Sequence, residues 1–188
     1  MFHRPNIWHY TPPPPVAQLE QVDTVKLLGV VLTAKLSFTE HVDQLITVLN
    51  QRLYLLNQLR RQGLDRNGLE RVFHAIIISK VRYALPAFAG HLYQSDIDRI
   101  DAMFRKALRW GLTTQDITLR ELIVLSDSGL FTSITNNPQH CMRVLLPSQH
   151  YAGGHVMRHR GHSFKLPRSK TSELHKSAFI NRCLFTFL

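Results

Sequence analysis

Residues 39–61, with the sequence TEHVDQLITVLNQRLYLLNQLRR, decide the fold of this chain. Apolar side chains recur three and four residues apart, which places them on one face of an α-helix. These residues are Val42, Leu45, Ile46, Leu49, Leu53 and Leu56, and Val48, Leu55 and Leu59 widen the face. Ser37 or Thr39 is a candidate N-cap, and Arg60 and Arg61 precede Gly63, as is typical of a helix end. The segment therefore predicts one long helix that is buried on two sides.

Two further segments have the same helical period. Asp65 is a candidate cap for a helix near 66–82, which we expect to end before Pro86. Its apolar face is Leu69, Val72, Phe73, Ile76 and Ile77. A third helix, near 95–109, begins at Ser95, and Asp98 three residues later forms a variant of the capping box. Its apolar face is Ile97, Ile100, Phe104, Ala107 and Leu108.

The other side of the third helix is basic. It carries Arg99, Arg105, Lys106 and Arg109, and Asp101 is placed one turn before Arg105, where the two can pair. Beyond this helix the periodicity weakens. It predicts a short helix over Thr118–Leu125 and another helical piece near residue 134.

The two ends of the chain have a different composition. Pro12–Pro15 predict an extended linker, and the Val- and Leu-rich residues 21–32 predict a short strand or hairpin, with Gly29 at a bulge or close backbone approach. We therefore expect a mainly α fold, a helical bundle preceded by this strand and followed by an irregular basic tail. The expected segments are a linker (1–20), a strand region (21–36), a three-helix domain (37–112), short helices (113–150) and a basic His/Arg-rich tail (151–188).

The chain is strongly basic, with 23 Lys and Arg against 13 Asp and Glu, a net charge of +10. Residues 140–188 hold eight of these cations, one acid and six of the eleven histidines. Such a field favours a polyanion, and nucleic acid before an anionic membrane. No run of about 18 apolar residues predicts a membrane span. Two cysteines, Cys141 and Cys183, suit a reducing compartment, so we expect a nuclear or cytoplasmic location.

Known catalytic patterns are missing from the sequence. It has no glycine-rich phosphate loop, and its one acidic cluster, Asp96, Asp98 and Asp101, has local helix roles. His155, His159 and His162 have metal-like spacing, but Arg158 and Arg160 stand among them and would repel a dication. We therefore expect no metal site, no cofactor and no catalysis by this chain alone.

Several short motifs, in order, resemble the reverse transcriptases of jockey-like non-long-terminal-repeat retrotransposons. They are Val25–Leu32, Leu36–Phe38, Asn50–Leu56, Leu59–Leu64, Val72–Ile76, Tyr83–Ala87, Ile100–Ala107, Pro138–Cys141, Leu145–Pro147, Arg158–His162 and Phe179–Phe185. The resemblance implies that the first motif belongs to the strand pair of the primer grip and that the helices form the thumb. The palm aspartates are missing, since no Asp-Asp dipeptide occurs.

The resemblance thus implies a C-terminal part of such an enzyme, without its fingers, palm and endonuclease, which retains nucleic-acid binding. Mg²⁺ is expected only for the full-length parent. Two alternatives stay open: a free-standing basic helical protein that binds DNA or RNA, and an interaction domain whose basicity is incidental.

We expect sequence-tolerant, salt-sensitive binding of RNA or DNA duplexes, including the RNA–DNA hybrid that a thumb holds. One candidate surface is helical and consists of Arg60, Arg61, Arg99, Arg105, Lys106 and Arg109. The other is the tail, with Arg158, Arg160, Lys165, Arg168 and Lys170. An exposed strand at 22–32 and the helix face beside it also predict self-association.

Overall fold

A two-stranded hairpin opens the part of the chain that the structure, a computed structural model, describes: residues 22–149, 161–167 and 173–187. Helices make up most of the rest, so the expected mainly α fold is confirmed. The strands are β1 (Thr24–Leu27) and β2 (Val30–Thr33). The α-helices are α1 (Thr39–Arg61), α2 (Arg66–Phe73), α3 (Ser79–Arg82), α4 (Leu85–Phe88), α5 (Gln94–Arg109), α6 (Leu119–Asn136), α7 (Glu173–Ser177) and α8 (Phe179–Thr186).

The hairpin turn consists of Leu28 and Gly29. Both residues have positive φ, 45° and 83°, as in the two-residue turns that match the twist of paired strands. The Tyr83 hydroxyl donates a hydrogen bond of 2.7 Å to the Leu28 carbonyl, and its ring lies 3.5 Å from where a Cβ on Gly29 would be. Gly29 is therefore a turn residue and not a bulge. The hairpin contacts the bundle through this turn and through β2, whose Val31 is buried, whereas β1 is exposed along its length.

Helix α1 has the predicted boundaries and the predicted main face. Leu55, which is predicted to widen this face, is 56% exposed, so the predicted burial on two sides is wrong at this residue. Val42, Leu45, Leu49, Leu53 and Leu56 are buried in the main core. Neither Ser37 nor Thr39 is the N-cap of α1, because Phe38 occupies that position and its side chain makes no capping hydrogen bond. The Thr39 hydroxyl instead donates to Asp96, which ties the start of α1 to α5.

The helix predicted near 66–82 is interrupted. Asp65 caps α2 as predicted, but a π-helical turn over His74–Ile78 separates α2 from α3. The Arg52 guanidinium of α1 donates to the Ile76 carbonyl within this turn. The chain leaves the helix after Arg82, because Ala84 has a left-handed φ of 54°. The next short helix begins at Leu85, with Pro86 in its first turn.

Residues 66–91 form a nearly continuous helical run. By length and composition alone it is apolar enough to cross a membrane, with a hydropathy of 1.3. One such helix is weak evidence, because core helices of soluble proteins have the same properties. Here Phe73, Ile77, Val81, Leu85 and Phe88 belong to the main core of the bundle.

Two details predicted for α5 are wrong. The helix begins at Gln94, so Ser95 lies inside it and forms no capping box, and the Gln94 amide donates to Asp98 instead. Asp101 makes no ion pair with Arg105 among the described residues. Its carboxylate accepts from the Leu119 backbone N–H at 2.7 Å, because the first N–H groups of α6 have no partner within that helix.

Helix α6 replaces the two short pieces predicted for this region. It runs unbroken through Gly129 and begins with a true capping box between Thr118 and Glu121. Leu119 and Leu122 pack in the main core, whereas Phe131 belongs to a second, smaller cluster. The helix therefore spans both clusters.

Within the predicted irregular tail, residues 173–187 are mostly helical, so the prediction is wrong for this part. Cys183 and Leu184 of α8 are buried against Phe131. Burial raises the pKa of the Cys183 thiol to about 12, which keeps it protonated and unreactive. The predicted linker 1–20 and the tail residues Arg158, Arg160, Arg168 and Lys170 lie outside the described residues, as do His155 and His159.

A buried histidine links the hairpin to the bundle. His41 of α1 is 6% exposed, its Nδ1 accepts from the Val31 N–H at 3.4 Å, and its ring lies edge-on to Phe88. Burial lowers the pKa of His41, and Lys80 and Lys26 lower it further. The folded chain therefore keeps His41 neutral.

We expect the free energy of unfolding to decrease as the pH falls from 7 towards 5. The unfolded chain binds a proton on His41 near pH 6.5, whereas the folded chain binds it only at a lower pH. The contribution of neutral His41 to stability is therefore fully present above pH 6.5 and decreases as the pH falls below it. Urea unfolding at a series of pH values measures this. His41→Gln should flatten the dependence, and His91→Gln gives the separate contribution of the other histidine whose pKa burial lowers. Parallel pH curves for His41→Gln and the unmodified chain would contradict the assignment.

Candidate nucleic-acid interface

Helices α1 and α5 lie side by side and run in the same direction. Three contacts show this in order along both helices. Arg99 bonds Asp43 at 2.6 Å, the Lys106 ammonium donates to Asn50 at 2.9 Å, and the Arg60 guanidinium donates to the Trp110 carbonyl. Parallel packing brings the C-terminal ends of both helices to one end of the bundle.

Five predicted cations meet at this end. We call it the basic helix end, defined as Arg60, Arg61, Arg105, Lys106 and Arg109. Arg105 and Arg109 are one turn apart on the exposed side of α5, and Arg61 is exposed at the last residue of α1. None of these three side chains has a hydrogen-bond or ion-pair partner among the described residues. The arrangement therefore presents three exposed guanidinium groups to an anion.

The other two members are positioned by the protein. Arg60 is held at the C-terminus of α5 by its bond to Trp110, and the Lys106 ammonium lies 4.7 Å from the centre of the Trp110 ring. Trp110 is 36% exposed. Neither Trp110 nor Asn50 is among the site residues that the sequence predicts. The position of Trp110 directly after Arg109 is a signal that could have pointed to it.

Arg99 does not belong to this surface. It lies at the opposite end of the α1–α5 contact and forms ion pairs with Asp43 and the buried Asp96. The hydrogen bond with Asp43 raises the pKa of Arg99, with smaller contributions from both carboxylates. Its charge is therefore neutralised locally, and Arg99 is not available for phosphate in the way that the sequence predicted.

The cations of the basic helix end also have a local role. The last carbonyls of a helix carry a partial negative charge, and nearby cations stabilise it by about 0.3–1 kcal/mol. Both α1 and α5 end with such residues. A helix end alone, however, requires no exposed pair such as Arg105 and Arg109 on one face.

Of the tail surface, the structure describes Lys165. Its side chain is exposed, and its backbone N–H donates to the Ser148 carbonyl at 3.0 Å beside the bridge between Gln149 and Phe164. His162 is engaged locally, since Nδ1 accepts from the Phe164 N–H and Nε2 lies 2.8 Å from the Leu184 carbonyl. Among the described residues no group of three His, Cys, Asp or Glu side chains is placed to hold a metal ion.

Comparison of the chain with protein-family models, with curated proteins and with solved structures gives no match. The class of protein that the fold defines is therefore a helical bundle with an N-terminal hairpin and a basic surface. The resemblance to retrotransposon reverse transcriptases rests on the sequence motifs and stays a prediction.

Proposed function

We propose that this chain is the thumb-like C-terminal part of a non-long-terminal-repeat reverse transcriptase, inactive alone, and that it holds a nucleic-acid duplex at the basic helix end. The observation that carries the binding proposal is the meeting of five cations where α1 and α5 end together. Three of them are exposed and have no partner among the described residues. Such groups bind phosphates and release counterions, which supplies affinity without sequence specificity.

The reverse transcriptase assignment rests on the sequence motifs, and the structure brings two pairs of these motifs into contact. Tyr83 and Leu28 belong to two motifs quoted for the resemblance, 55 residues apart, and they form a hydrogen bond. Asn50 and Lys106 belong to two others and are likewise bonded. Segments that are far apart in the sequence therefore contact one another, as they do in any compact bundle.

The acidic residues support the absence of catalysis by this chain alone. Two-metal phosphoryl transfer needs carboxylates that converge on the ions. Asp96 instead contacts Thr39 and Arg99, Asp98 accepts from Gln94, and Asp101 binds the start of α6. Each of these three carboxylates thus has a structural partner.

A salt titration tests the proposal. We expect labelled RNA–DNA hybrid and DNA duplexes to bind the full chain, with an anisotropy-derived log K that falls by about 0.9 per phosphate contacted for each unit of log salt. Three to five contacts on B-form DNA give a slope of about −2.7 to −4.5. Primer extension with Mg²⁺ serves as the control for the inactive state and should give no product. Lack of binding at about 50 mM salt would contradict the binding proposal. Metal-dependent primer extension would contradict the proposal that the chain alone has no polymerase activity.

The remaining expectations stay predictions. A free-standing nucleic-acid-binding protein would give the same titration, and the DNA directly upstream of the coding sequence separates the two, since palm codons there favour the retrotransposon origin. Self-association is favoured by the exposed apolar side chains Val25, Leu27 and Leu28 of the hairpin. The intracellular location also stays a prediction.

A further inference from the structure

A cleft of about 670 Å³ is lined by α6, by Arg143 and Gln149 after it, by residues 161–164 and by Phe187 directly after α8. Its volume is within the range of about 300–1,000 Å³ that is typical of ligand sites. The cleft is separate from the basic helix end, since none of that surface's residues lines it.

One wall of the cleft is aromatic. Phe131 forms its base, and the Phe187 ring is stacked on Phe131 at 5.8 Å with the two planes 28° apart. Phe164 lies 6.4 Å from Phe131 at a steep angle. Phe131 is buried, whereas Phe164 and Phe187 are only half-buried and keep ring surface open to the cleft. This wall offers stacking surface to a planar ligand.

The rest of the described lining is polar and carries positive charge. The amides of Asn136 and Gln149 line the cleft and make no side-chain hydrogen bond to another described residue. The Arg143 Nη1 donates to the carbonyls of Ile134 and Thr135, which fixes the guanidinium at the end of α6 and leaves its other N–H groups unbonded among the described residues. None of the described residues that line the cleft is acidic.

We propose that this cleft binds one unpaired nucleotide of a single-stranded nucleic acid. The phenylalanine rings stack on the base, the two amides bond its edge, and Arg143 meets the phosphate. An apolar ligand or the apolar face of a peptide would leave the amides and the guanidinium without partners, which costs affinity. A nucleotide is planar, carries donors and acceptors at its edge and is anionic, so it satisfies all three features.

The site is independent of the duplex proposal, and matched variants at the end of α8 and directly after it test it. Binding of a labelled single-stranded oligonucleotide to the full chain is measured for Phe187→Leu and Phe185→Leu. Phe187 lines the cleft, whereas Phe185, two residues earlier, is exposed outside it. Leucine keeps apolar volume but removes the ring, so we expect about tenfold weaker binding for Phe187→Leu and a change below about twofold for Phe185→Leu.

A second pair of variants needs no change in an aromatic ring. Gln149→Glu places a negative charge in the cleft and should weaken single-strand binding, whereas Gln139→Glu, exposed in the loop after α6, should not. Circular dichroism melts confirm that each variant is folded, and duplex binding should be unchanged in all four. Unbound single strands, or equal losses within each pair, would overturn the cleft assignment. Single-strand binding without duplex binding would support the cleft and reject the proposed function alone.

Discussion

Replacement of Asp127 by alanine is expected to lower the free energy of unfolding by about 3–5 kcal/mol. The Asp127 carboxylate of α6 is 4% exposed and accepts two hydrogen bonds from Arg182 of α8, at 2.8 and 2.9 Å. Arg182 also donates to the carbonyls of Ser177 and Pro86. Without Asp127 a guanidinium stays in the interior with no counter-charge, and this uncompensated charge accounts for the expected loss.

Two comparisons separate this cause from simple loss of an ion pair. Asp43→Ala removes an exposed partner of Arg99, and surface pairs of this kind contribute about 0–1 kcal/mol. The double variant Asp127→Leu/Arg182→Met removes both buried charges and should be more stable than Asp127→Ala alone. Chemical denaturation with two spectroscopic probes measures all three. A loss for Asp127→Ala no larger than that for Asp43→Ala would contradict the buried-charge argument.

The ion pair between Asp127 and Arg182 also positions the cleft that we propose for a nucleotide. Gly90 lies against the carbonyl of Ser177, at the end of α7, so closely that an added Cβ would be 2.0 Å from the oxygen. Arg182 then joins α8 to both α6 and the α4 region. Because Phe187 follows α8 directly, this packing sets the aromatic wall, and loss of Asp127 should also weaken single-strand binding at temperatures where the rest of the bundle remains folded.

The sequence predicts individual helices better than their connections. The boundaries of α1 follow from a long apolar period with an arginine-rich end, and both features are local. Continuity through Gly129 is not local, since it depends on Leu122 and Phe131 packing in two different clusters. The pairing of Asp127 with Arg182, 55 residues apart, leaves no periodic signal either. The sequence therefore predicts an irregular tail where the structure has α7 and α8.

The candidate interface likewise depends on contacts between distant segments, which periodicity does not predict. Periodicity places Arg99, Arg105 and Arg109 on one side of α5, but only the packing against α1 decides which of them is neutralised. Asp43 reaches Arg99 because α1 and α5 are parallel, and that direction depends on the path of the chain through α2, α3 and α4. The arginines at the ends of α1 and α5 converge for the same reason.

The triple variant Arg105→Gln/Lys106→Gln/Arg109→Gln is expected to reduce duplex affinity on the order of 100-fold or more at about 100 mM salt. Each cation that contacts a phosphate contributes about 0.9 to the salt slope, so the loss of three should make the slope shallower by about 2.7. Lys106 also contacts Asn50 and Trp110, but these are surface contacts, so we expect the fold to persist.

A charge-matched control decides whether position or total charge matters. Lys35→Gln/Arg71→Gln/Arg82→Gln removes three exposed cations that lie outside the basic helix end and outside the hairpin. Arg71 donates only to the Asn67 carbonyl one turn earlier, and the other two have no hydrogen-bond or ion-pair partner among the described residues. Both variants carry a net charge lower by three. Anisotropy titrations of one hybrid duplex against salt should show a large loss for the first and a small loss for the second, because counterion release requires direct phosphate contact. Equal losses and equal slopes would mean that the duplex senses only the overall charge of the chain, and the parallel ends of α1 and α5 would then have no special part in binding.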